Sequence, residues 1–137
     1  MSKKVYNKLV RSEIPEIIKS EGRACAYVEL DSKEDKDHII QLLKEKLIEE
    51  AQEVMEAKHK GQLIEELGDL HSVFCELRDM LGFGWSGEIG EVIKAKNIQK
   101  GEFRISKDKN GNIVSSSARC DSVSYIKLIS VDDGQET

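Results

Sequence analysis

Residues 35–81, DKDHIIQLLKEKLIEEAQEVMEAKHKGQLIEELGDLHSVFCELRDML, decide how this chain folds. Ile40, Leu43, Leu47, Ala51 and Val54 recur at spacings of three and four, which puts them on one stripe of a helix over about 35–59. Leu63, Leu67, Leu70, Phe74, Leu77 and Leu81 repeat the pattern over about 62–81, and Gly82 supplies a stop. Only Lys58-His59-Lys60-Gly61 breaks the two patterns apart. So short a break predicts antiparallel neighbours packed through their stripes.

Upstream, Ser12 is expected to cap a short helix through Ile14, Ile17 and Ile18, with Pro15 in its first turn and Gly22 as its end. Ala24 to Leu30 reads as one strand, and Asp31-Ser32 as the opening of the long helix, with Glu34 and Asp35 in its first turn. Downstream, a fourth helix is expected over about 87–100, with Ile89, Val92, Ile93 and Ile98 facing inward. Asn110-Gly111 between Phe103-Arg104-Ile105 and Ile113-Val114 is a two-residue hairpin signal. Tyr125 to Val131 reads as a last strand, and 132–137 as a frayed tail. The expected fold is mainly α: one compact antiparallel helical domain over 1–137, with a core at about 12–100 and a small β appendage at about 102–131.

A length of 137 residues, 39% hydrophobic and 34% charged, fits one domain with a modest core. No apolar run approaches the roughly 20 residues of a membrane span, and Met1-Ser2-Lys3-Lys4 leads into no signal-peptide core. A cytoplasmic protein with no membrane partner is expected. Cys25, Cys75 and Cys120 are odd in number and widely spaced, which suits reduced thiols better than disulfides or a zinc cluster. The net charge of −5 argues against a nucleic-acid partner, and it makes phosphate handling depend on a metal.

Glu49-Glu50-Ala51-Gln52-Glu53 lies on the second helix and Glu66-Leu67-Gly68-Asp69 on the third. Glu50 and Glu53 share a helix face, as do Glu66 and Asp69. By helical geometry Glu50 falls about 80°, and Glu66 about 60°, from the centre of its apolar stripe, so both pairs flank the expected seam on one side. Glu45, Glu49 and Glu56 point more nearly away from it. Among 26 acidic residues, one such pair is ordinarily a solvated face. Two pairs on adjoining helices would repel strongly, and a hard divalent cation relieves that repulsion while leaving positions for water and phosphates.

Glu49-Glu50-x-x-Glu53, twelve intervening residues, then Glu66-x-x-Asp69 resembles the EExxE…ExxD motif of the all-α nucleotide pyrophosphohydrolases of the MazG type, the superfamily of phosphoribosyl-ATP pyrophosphohydrolase. The opening Tyr6-Asn7-Lys8-Leu9-Val10-Arg11-Ser12-Glu13-Ile14-Pro15 is similar to the start of one MazG-related subgroup, where Asp usually stands in place of Ser12. Lys100-Gly101-Glu102-Phe103 resembles a Gly-Gly-Phe element of that subgroup, with Glu102 replacing the second Gly, while 104–124 is longer than the family pattern. The resemblance implies Mg²⁺, with Mn²⁺ as a substitute, held by Glu50, Glu53, Glu66 and Asp69 with Glu49 assisting. It implies cleavage of a nucleoside triphosphate to monophosphate and pyrophosphate, by a homodimer or homotetramer. Lys8, Arg11, Lys94, Lys96, Asn97 and Lys100 would bind substrate. Phe83 and Trp85 could stack on a base but fit closing the core or an oligomer contact better. His38, His59 and His71 show no ligand spacing. Two other readings stay open: a phosphoribosyl-ATP pyrophosphohydrolase of histidine synthesis, and a catalytically silent helical protein that oligomerises or binds a partner.

Overall fold

The structure is a computed structural model that describes residues 4–82, 87–114 and 120–132. The expectations for Phe83, Trp85 and 133–137 lie outside the described residues. Among those described, the chain is mainly α: α1 (Ile14–Ser20), α2 (Lys36–Glu56), α3 (Lys60–Leu81) and α4 (Glu88–Lys100), followed by β1 (Arg104–Lys107) and β2 (Ser122–Tyr125). It divides into two compact units, Met1–Gly87 and Glu88–Thr137.

In the first unit α3 packs back along α2. The chain leaves α2 at Ala57, whose ψ of 133° breaks the helix, and re-enters at His59. His59 is itself the cap: its Nδ1 accepts from the Gln62 backbone N–H at 3.2 Å, while the Gln62 side chain accepts from the Lys58 N–H at 3.0 Å. This reciprocal arrangement does the work of a Ser/Glu capping box and draws Lys60 and Gly61 into the helix. Gly82 ends α3 at φ +78°, a left-handed conformation that favours glycine.

Three expectations upstream need correction. Ser12 does not cap α1; a turn from the Arg11 carbonyl to the Ile14 N–H (3.0 Å) moves the N-cap to Glu13, which makes no side-chain cap bond. Residues 24–30 form no strand, and Tyr27 and Val28 are exposed. No partner strand meets them among the described residues, and β propensity without a partner does not make a sheet. Asp31 holds an Asx turn, accepting from the N–H groups of Lys33 and Glu34 (2.8 and 2.9 Å), so α2 starts only at Lys36.

The expected stripes are largely covered: Ile40, Leu43, Leu47 and Val54 on α2, and Leu70, Phe74 and Leu77 on α3, are buried or half-buried. Ile39, Leu43, Lys46, Glu50, Glu53 and Ala57 are all buried or half-buried, a four-three repeat along α2. On α3 Gln62, Glu66, Asp69, Val73 and Met80 are half-buried as well. Leu63, Leu67 and Leu81, expected inside, are exposed, as is Ala51. Leu42, Leu43 and Glu50 are the buried residues of α2, so a carboxylate is covered along with the leucines.

In the second unit Ile89 is half-buried, but Val92, Ile93 and Ile98 are exposed rather than facing inward. The Asn110-Gly111 turn forms, with Gly111 at φ +83° and the Asp108 carboxylate accepting from the Asn110 and Asn112 N–H groups at 2.9 Å. Ile113-Val114 does not become the expected partner strand. It contributes one bridge, Lys107↔Ile113, and a bond from the Val114 N–H to the Ser106 carbonyl (2.9 Å). The antiparallel ladder pairs β1 with β2 instead, in register from Arg104↔Tyr125 to Lys107↔Ser122. The last strand thus ends at Tyr125, where the sequence reading began it.

Candidate metal centre

The α2–α3 seam brings Glu50, Glu53 and Glu66 together: one carboxylate oxygen from each lies within 4.8 Å of the others. Two come from one helix at i and i+3, the third from its neighbour, so the group exists only when the helices pack. Glu50 is 6% exposed. Its Oε2, and the Oε2 of Glu66, are buried with no hydrogen-bond partner among the described residues. Orphaned carboxylate oxygens are costly in a native seam, and their presence is an observation that a cation would answer.

Cations pair with Glu50 of the group and with its acidic neighbours. Lys46 Nζ lies 3.3 Å from Glu49 Oε1 and 3.6 Å from Glu50 Oε1. Lys8 Nζ lies 3.0 Å from Glu49 Oε1, and Arg11 Nη2 lies 2.6 Å from Asp69 Oδ1. Glu49 is therefore half-buried and paired at the rim, not turned away as its helical position suggested. Lys46 was not singled out by the sequence reading; its three- and four-residue spacing from Glu49 and Glu50 was the available signal. Lys94, Lys96, Asn97 and Lys100 are exposed on α4, in the second unit.

The proton affinities divide along the same line. Burial pushes the Glu50 carboxyl above its ordinary range, helped by Glu53 and Asp69 and opposed by Lys46. Glu66 is raised too, first because its carboxyl meets that of Glu53 at hydrogen-bond range, then by burial and by the charges of Glu53, Asp69 and Glu50. Glu49 goes the other way: burial pushes it up, but hydrogen bonds from Lys8 and Lys46 outweigh that and hold it low. Lys8 is raised in return, chiefly by its bond to Glu49.

These directions fix a pH dependence for the metal-free protein. Glu50 and Glu66 bind protons more tightly folded than unfolded, so from the ordinary value of 4.5 up through their raised values the native state holds more protons. Stability from this source is full below that range and is lost as pH rises through it. Glu49 and Asp31, both lowered, contribute the opposite slope, lost as pH falls through their depressed values. A double Glu50→Gln/Glu66→Gln variant should therefore keep only the acid-side loss, while the parent also loses stability toward neutral pH. Melting curves from mildly acidic to neutral pH in chelator check this, and identical profiles for the two proteins would contradict it.

No known family, curated protein or solved structure matches the chain. What the centre could hold is read from its own donors. They are carboxylate oxygens, with no thiolate or imidazole among them, a set suited to a hard divalent cation such as Mg²⁺ or Mn²⁺. No helix among the described residues is long and apolar enough to cross a membrane.

Proposed function

We propose that the chain is a Mg²⁺-dependent nucleotide pyrophosphohydrolase that converts a nucleoside triphosphate to its monophosphate and pyrophosphate. The observation that carries this reading is the three-oxygen carboxylate group across two helices, with buried unpaired oxygens on Glu50 and Glu66. Glu50, Glu53, Glu66 and Asp69 would hold the metal, in the pattern that resembles the MazG-type motif. Bound Mg²⁺ supplies charge neutralisation at the phosphoryl oxygens and acidifies water. Lys8 and Arg11 attract the phosphates, and a cluster carboxylate takes the proton given up by the attacking water. Glu49, paired with Lys8 and Lys46, holds those cations at the rim.

A magnesium-dependent pyrophosphate-release assay over a nucleotide panel that includes phosphoribosyl-ATP tests the reading. Monophosphate and pyrophosphate are the expected products; orthophosphate with a diphosphate would overturn it. Absence of turnover on the whole panel would favour a non-enzymatic helical protein.

The functional unit is proposed to be a homo-oligomer. Ile48, Met55, Ile64 and Leu67 are exposed on α2 and α3, leaving apolar surface that one helix pair does not cover. Light scattering at micromolar concentration should give at least a dimer mass, and a monomer would refute this.

A further inference from the structure

The arm ahead of α1, residues 4–13, has no helix or strand and is exposed at all positions but Leu9. Two of its cations nevertheless reach the carboxylates: Lys8 holds Glu49 and Arg11 holds Asp69. Those are the two members of the acidic constellation that stand outside the three-oxygen group. The arm thus neutralises the rim, while inside the group Lys46 reaches Glu50 Oε1 at 3.6 Å and the Oε2 atoms of Glu50 and Glu66 stay unpaired.

We propose that the arm is an exchangeable counter-ion for the metal centre. Arg11 and Lys8 hold Asp69 and Glu49 while the centre lacks a divalent cation and let go when one enters, which frees Asp69 to join Glu50, Glu53 and Glu66 as a ligand. This rests on the metal reading above and adds a competition within the chain itself. A guanidinium 2.6 Å from Asp69 Oδ1 occupies an oxygen that a cation would need, so each weakens the other's hold by the same factor. The exchange is cheap. Arg11 and Lys8 side chains are 66% and 40% exposed, and ion pairs this open are only weakly held. Two positive charges arriving in the seam also remove the negative field that retains the arm. The released guanidinium and ammonium are then available to phosphate, which the Arg fork fits in a bidentate way.

The test uses the full chain and Mg²⁺ alone, without nucleotide. Isothermal titration should show Arg11→Ala binding Mg²⁺ more tightly than the parent, by roughly two- to fivefold, with Arg11→Lys in between. Hydrogen exchange on the unaltered protein should show faster exchange of residues 8–12 when Mg²⁺ is saturating, a readout that needs no variant. Equal or weaker Mg²⁺ binding by Arg11→Ala, or slower exchange in the arm with Mg²⁺, would overturn the exchange and make the arm a support of the site. A parent protein that binds no Mg²⁺ would remove the metal reading and the exchange together. Tight Mg²⁺ binding with arm release, but no hydrolysis of any nucleotide, would leave the exchange standing and remove only the catalytic reading.

Discussion

Glu53→Gln is expected to lower kcat for pyrophosphate release at least about 10²-fold, and Asp69→Asn by a similar factor, while Glu56→Gln stays close to the parent. Glu53 belongs to the group: it is within 4.8 Å of Glu50 and Glu66 through single oxygens, and its carboxyl is the chief cause of the raised Glu66 proton affinity. Replacing it with an isosteric amide keeps the packing and removes one negative charge. The loss falls on both cation affinity and charge stabilisation in the transition state, and 10²-fold corresponds to about 2.7 kcal/mol. Asp69 differs in being held by Arg11, so its amide variant also frees the arm; saturating Mg²⁺ separates the two effects by restoring occupancy. Glu56 is exposed, with its carboxylate accepting from Gln52 one turn earlier at 3.1 Å, and it serves as the control for added neutral charge on the same helix. Near-normal turnover by Glu53→Gln would place the metal elsewhere.

The helix pair and its acidic pairs were legible because both depend on local spacing. A 3.6-residue period survives in the sequence whatever the helix packs against, and so does an i, i+3 pair of carboxylates. The phase of the seam was not legible in the same way. On α3, Leu63, Leu67 and Leu81 compete with Gln62, Glu66 and Asp69 for the covered face, and hydrophobicity alone favours the leucines. The decision belongs to the helix pair as a whole: Leu42, Leu43 and Glu50 are buried on α2, and Glu50 and Glu53 meet Glu66 of α3. Placing carboxylates inside while leucines stay out is a local conflict of the kind found at functional sites. Non-local pairing explains the other misses. Residues 24–30 had strand composition but no partner among the described residues, and β1 pairs with 122–125 rather than with the adjacent 113–114. The contacts of Lys8 with Glu49 and Arg11 with Asp69 span 41 and 58 residues, beyond the reach of any spacing rule.

The same seam predicts a crossed response of stability to metal and to charge removal. In the metal-free protein, Glu50 is buried beside Glu53 and close enough to feel Asp69, and its own burial disfavours the charged form. Glu50→Gln should therefore raise the metal-free Tm, because a neutral amide escapes that repulsion while Lys46 keeps its 3.3 Å bond to Glu49. In the parent, Mg²⁺ at a hundredfold excess over Kd stabilises by roughly 2.7 kcal/mol if it binds the folded form alone. For a domain of this size that is a gain on the order of 5–10 °C. Glu50→Gln should lose most of that gain, so the two proteins exchange order when Mg²⁺ is added. Salt is the discriminating control. A solvated acidic face responds to Na⁺ screening as it does to Mg²⁺, whereas a carboxylate 6% exposed in a helix seam is poorly screened by mobile ions. Melting both proteins in chelator, in Mg²⁺, and in NaCl matched for ionic strength resolves the question. Equal gains from Mg²⁺ and NaCl would mean that the seam carboxylates hold no cation, and the proposed hydrolase would lose its metal centre.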